Sequence, residues 1–133
     1  MKRSLELQRT ILSDIEACDD FDGLKWTPEG LYSHQGWPDG YLETGRTMSL
    51  DIEYNLLKLE EAGLVVVERQ GEFWCSNLTH VGHDFLDLVR SDNVWAKTKS
   101  GASKVGGMTI GMTMELAKAY LKQEIAEKLG LEL

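Results

Sequence analysis

The chain has 133 residues, 42% of them hydrophobic and 27% charged, with a formal net charge of -8. That length suffices for one domain with a real core, and the composition is that of a globular chain rather than a disordered one. No apolar run approaches the roughly 20 residues of a transmembrane helix, and the charged start lacks the apolar stretch of a signal peptide, so a cytoplasmic protein with no membrane attachment is expected.

The charge is uneven. Residues 1–91 carry 17 acidic and 8 basic side chains (net -9), whereas residues 92–133 carry 5 and 6 (net +1). Such a surface repels phosphate backbones unless a local basic patch offsets it. Cys18 and Cys75 lie far apart with no CxxC spacing, the pattern of two reduced thiols.

In chain order, the spacing predicts a helix from about Ser4 to Ala17, with Leu5, Gln8, Leu12 and Ile15 on one face and Ile11 beside them. Asp19, Asp20 and Asp22 end it, and Gly23 breaks the pattern. From Gly23 to Met48 five glycines, two prolines and the aromatics Trp26, Tyr32, Trp37 and Tyr41 make a long helix improbable. An ordered loop is expected there, with short extended pieces around Lys25-Trp26 and Leu31-Tyr32.

Ser49 to Arg90 is the organising stretch. A helix carries Ile52, Leu56 and Leu59 inward, with Leu57 on the flank, capped by Ser49 or Asp51 and stopped at Gly63. Leu64 to Arg69 reads as a strand, Gln70-Gly71 as a tight turn, and Glu72 to Asn77 as the antiparallel return. Phe73 and Cys75 then point one way and Trp74 and Ser76 the other, one face to the core and one free. Thr79 caps a helix bearing Phe85, Leu86 and Val89 inside. Beyond Arg90 a helix capped by Ser91 or Asp92 aligns Val94, Trp95, Thr98 and Ala102 until Gly106-Gly107. The last helix, about Gly111 to Leu129, sets Met114, Ala117, Leu121, Ile125 and Leu129 in one stripe. The expected fold class is α+β: a winged helix with a loop-rich insertion, a two-stranded wing and additional C-terminal helices. It forms a single domain, with a core over 1–90 and a helical extension over 91–133.

The segments MKRSLELQRTIL, IEYNLLKLEEAGLV, LTHVGHDFLDLVRSDNVWAKTK and, after a Gly-Gly pair, LAKAYLKQEIAEKLGL resemble, in that order, a family of short bacterial and phage proteins defined as a domain of unknown function. The resemblance covers nearly the whole chain and implies a winged-helix fold, with no activity, cofactor or catalytic residue attached. The Gly23 to Met48 region departs from it, being longer and richer in aromatics and glycine.

Catalytic and metal chemistry find little support. His80 and His83 are three apart on a helix with Cys75 upstream, but no further Cys or His pair completes a closed zinc site. A structural role is expected for both, with His83 tucked against the wing and His80 exposed. There is no GxSxG elbow and no GxxxxGK[ST] loop, and the carboxylates are spread over helix exteriors. No catalytic, cofactor or metal residue is assigned, and the chain reads as a non-enzymatic regulatory or interaction protein.

Two kinds of partner follow. In the favoured reading the partner is a protein, with Trp26, Tyr32, Trp37 and Tyr41 as anchors and Trp74 as an exposed wing aromatic. In the alternative, a DNA-binding regulator, helix 49–62 enters the major groove with exposed Ser49, Glu53, Asn55 and Lys58, while Arg69 and Gln70 on wing 64–78 meet the backbone or minor groove. Asn55 would pair with adenine. Charge disfavours the alternative: Ser49 to Ala62 sets Asp51, Glu53, Glu60 and Glu61 against Lys58, net -3. The C-terminal stripe suggests self-association as a homodimer.

Overall fold

The computed structural model describes residues 1–28, 46–71 and 73–130. It is a mixed α+β architecture with five helices and one four-stranded open sheet among the described residues. The chain divides into two compact units, Met1–His83 and Asp84–Leu133. No described helix is long and apolar enough to cross a membrane.

In the first unit, α1 (Leu5–Ala17) is capped by Ser4, whose hydroxyl accepts from the Leu7 amide, and it buries Gln8, Ile11, Leu12 and Ile15. That is the face the periodicity predicts, except that Leu5 is only half-buried. β1 (Leu24–Pro28) forms where Lys25-Trp26 was expected to be extended. The second extended piece, Leu31-Tyr32, falls outside the described residues. β2 (Arg46–Met48) runs parallel to β1 and leads into α2 (Leu50–Glu61).

Ser49 caps α2 by accepting from the Ile52 amide at 3.3 Å. At the other end the Gly63 amide bonds the Glu60 carbonyl and the Leu64 amide bonds the Leu59 carbonyl, with Gly63 at φ +81. This paired closure satisfies two otherwise orphaned carbonyls and requires the left-handed conformation that glycine adopts without cost. The chain then folds back as β3 (Val65–Gln70) and β4 (Phe73–Leu78), antiparallel. Each strand runs one residue further along the chain than the spacing predicts, since Gln70 still pairs with Phe73 and the turn starts at Gly71.

The sheet order is β2-β1-β4-β3, so β4 is a central strand, flanked by both β1 and β3. Leu24, Val67 and Ser76 share the face toward the core, and Lys25, Glu68 and Cys75 the other. Cys75 and Ser76 are both buried, which corrects the expectation that one face of the return strand stays free. A strand with neighbours on each side has even its outward Cys75 covered by adjoining side chains.

Thr79 fastens the next helix, α3 (His80–Leu88), to the corner after α2. Its hydroxyl donates to the Gly63 carbonyl at 2.6 Å and accepts from the Gly82 amide at 3.1 Å. Phe85, Leu86 and Val89 are buried in the second unit, as the pattern requires. There α4 (Asp92–Lys104) is capped by Ser91 and buries Val94, Trp95, Thr98 and Ala102, the four residues predicted. Gly106 and Gly107 close it with the same paired bonds that end α2. α5 (Ile110–Leu129) buries Thr113 and Ala117, but Met114, Leu121 and Ile125 are only half-buried and Leu129 is exposed. Of the stripe, only Ala117 is fully buried and only Leu129 is exposed.

Candidate functional site

The candidate surface is the outer side of α2 together with the β3–β4 hairpin. Its two predicted cations are both held by carboxylates. Lys58 Nζ lies 3.0 Å from Glu61 Oε2 and 5.2 Å from the centre of the Tyr54 ring. The Glu61 hydrogen bond is the main cause that raises the Lys58 pKa, reinforced by the charge of the same carboxylate. Arg69 reaches back from β3 to α2, donating to both carboxylate oxygens of Glu60 at 3.0 and 3.4 Å. Its guanidinium stacks 4.7 Å from the centre of the Trp74 ring, so one side chain joins helix, strand and aromatic.

The remaining predicted contacts fall into distinct roles. Ser49 is half-buried and committed to its cap, and Glu53 is half-buried on the first turn, where a carboxylate suits the positive end of the helix. Gln70 is exposed at the hairpin tip, 3.5 Å from Glu68 Oε2. Trp37 and Tyr41 lie outside the described residues.

Four expectations need correction. Trp26 is no partner anchor: it is 2% exposed, and its indole N–H donates to the buried Ser76 hydroxyl. Asn55 is buried at 1% exposure rather than displayed: its Oδ1 accepts from the Ser4 amide at 2.8 Å and from Gln8 Nε2 at 3.2 Å, and its Nδ2 donates to the Asp51 carbonyl. An amide so engaged ties α1 to α2 and has no free edge for a base. Trp74 is half-buried rather than an exposed wing aromatic, because Arg69 lies over its ring. His83 is exposed, with Nδ1 3.9 Å from Glu16 Oε2 on α1, and is not tucked against the hairpin.

Burial pushes the Cys75 thiol pKa up, away from the thiolate form that reacts or binds metal. Both cysteines are free thiols. Among the described residues no three His, Cys, Asp or Glu side chains gather as a metal site.

One feature escaped the sequence reading. Phe21, in the turn between α1 and β1, is 98% exposed. In the sequence Asp19, Asp20 and Asp22 read only as a helix terminator, and no periodicity marks an apolar residue that a turn leaves in solvent.

The fold and surface thus define an α+β protein in which Lys58 and Arg69, the two cations at α2 and the hairpin, are paired with Glu61 and Glu60. The chain belongs to the family described as hypothetical protein (DUF2513), whose model matches residues 2–109. The resemblant closing segment in α5 lies beyond that span. No curated protein and no solved structure matches the chain.

Proposed function

We propose that the protein is a non-enzymatic winged-helix regulator that acts by binding another protein. The succession α1, β1, β2, α2, β3, β4, with β1 antiparallel to β4, supports a winged-helix reading of the first unit. In that reading α2 stands where a recognition helix would, and the β3–β4 hairpin is the wing.

The observation that carries the choice of partner is the charge state of this face. Residues 49–62 have net charge -3, and both Lys58 and Arg69 are turned onto neighbouring glutamates. Exposed ion pairs are weak, so pairing alone does not exclude a phosphate; the number of cations decides. Two phosphate contacts give a log-log salt slope of roughly -1.8, far below that of proteins making 6–10 contacts.

The DNA-binding reading keeps one specific point in its favour. Arg3, before α1, is close enough to Lys58 to oppose its charge, so the two cations share a neighbourhood. Titration of purified protein against random and host-derived duplexes at low and moderate salt separates the readings. No binding at low salt is expected. Micromolar or tighter binding that weakens steeply with salt, and is lost in Arg3→Glu, Lys58→Glu or Arg69→Glu, would overturn the protein-binding reading.

A further inference from the structure

The turn joining α1 to β1 holds a phenylalanine out in water. Phe21 is more exposed than any other large hydrophobic side chain among the described residues, and the other strongly exposed ones are aliphatic or methionine. Its backbone is ordered from several sides. Asp20 Oδ1 accepts from the Asp22 amide at 2.9 Å, the Asp20 carbonyl accepts from the Gly23 amide at 3.0 Å, and Lys25 Nζ bonds Asp20 Oδ2 at 2.6 Å. From β4, Asn77 Nδ2 donates to the Asp22 carbonyl at 3.4 Å. Gly23, at φ +98, crosses so close to β4 that a Cβ there would collide with the Ser76 carbonyl.

Scattered exposed aliphatic residues are ordinary on protein surfaces. An aromatic ring on a turn locked to the sheet is different, because aromatic anchors dominate interface energetics and a preordered anchor loses little freedom on binding. Asp20 is neutralised by Lys25, while Asp19 and Asp22 flank the ring as exposed carboxylates. The result is an apolar tip in a negative field, which repels nucleic acid and matches a positively charged rim.

We infer that Phe21, with Asp19 and Asp22, is a docking point for a protein partner that receives the ring in an apolar pocket edged by lysine or arginine. This rests on the protein-binding reading above and names the surface through which it operates.

The test places the photocrosslinking residue p-benzoylphenylalanine at position 21 of the tagged full chain. The chain is irradiated in nuclease-treated extract of the native host and the crosslinked peptide is mapped. The captured protein is then purified and titrated against the unmodified chain, Phe21→Ala and the double variant Asp19→Asn/Asp22→Asn. The expected crosslink lies among apolar residues with lysine or arginine beside them. Phe21→Ala should weaken binding roughly tenfold or more, and the double variant should flatten its salt dependence. Thermal melts of both variants should match the parent, since the altered side chains are exposed. A partner bound equally well by Phe21→Ala, or a crosslink only to a second copy of this chain, would overturn the docking point while leaving protein binding intact. Recovery of no protein, or binding to duplex alone, would overturn both.

Discussion

Gln8 of α1 donates its side-chain amide to Asn55 of α2 across 3.2 Å, with both residues buried. The acceptor oxygen also takes the Ser4 amide at 2.8 Å, so one asparagine fixes the start of α1 against the middle of α2. Replacing it by alanine removes the acceptor and leaves a buried amide donor without a partner, a loss of about 1–3 kcal/mol. Asn55→Ala should therefore lower the urea midpoint by that equivalent with an unchanged denaturant slope. A neutral result would mean that the helix pair does not depend on this bond.

The sheet has a comparable polar tie. Trp26 Nε1 on β1 donates to Ser76 Oγ on β4 at 2.6 Å, and that hydroxyl lies 3.4 Å from the Leu24 carbonyl. Trp26 is 2% exposed and Ser76 fully buried, so no water replaces the hydroxyl. Ser76→Ala strands the indole N–H and should cost about 1–3 kcal/mol. Trp26→Phe removes the donor instead, and its cost combines the lost bond with the cavity left by the smaller ring. Indole fluorescence followed through chemical unfolding reports the first variant, and circular dichroism the second.

What could be read from the sequence was whatever obeys a period or a local stereochemical rule. The buried faces of α1 and α4, the caps at Ser49 and Ser91, and the glycine stop at Gly63 depend on residues within a turn of one another. Asn55 was misplaced because a polar residue in a helix is exposed by default, and only the approach of Ser4 and Gln8, about fifty residues away in sequence, makes its burial favourable. Trp74 was misplaced for a related reason: the cover over its ring comes from Arg69 across the hairpin, itself steered by Glu60. β2 and its parallel pairing with β1 carried no local signal, being three residues whose strand identity comes from the neighbour. The candidate surface was thus legible as a stretch of chain, while the internal pairing of its charges was not.

Two glycines in helices should respond in opposite directions to the same substitution. A Cβ on Gly82, in the first turn of α3, would run into the Leu64 carbonyl, a backbone atom held in place by the Thr79 amide. Gly82→Ala should destabilise by about 1–3 kcal/mol, the range for overpacking a site that cannot yield. Gly111, near the start of α5, has nothing nearer than Thr109 Oγ1 at 4.0 Å. Its alanine variant should be stabilising by about 0.4–1 kcal/mol through the unfolded chain's lost freedom. Thermal denaturation of the two variants beside the parent checks both signs at once.

The Asp20–Lys25 pair gives the first unit an acid-sensitive contribution. The hydrogen bond from Lys25, then that from the Asp22 amide, holds the Asp20 carboxyl below its ordinary value, and the same bond raises Lys25. A lowered carboxyl contributes stability that is present above the unfolded value, about pH 4, and is lost as pH falls through the lower folded value. A raised ammonium contributes stability that is present below the ordinary lysine value and fades as pH climbs through the raised one. Asp20→Asn should therefore melt below the parent between roughly pH 5 and pH 9, and the gap should close toward roughly pH 2, where the parent's carboxyl is also neutral. Because Asp20 is exposed and salt screens such pairs, the gap should also narrow in about 1 M sodium chloride. Asparagine retains an oxygen for the Asp22 amide and loses only the ion pair with Lys25, so a gap that persists unchanged at acid pH would show that the ion pair is not its source.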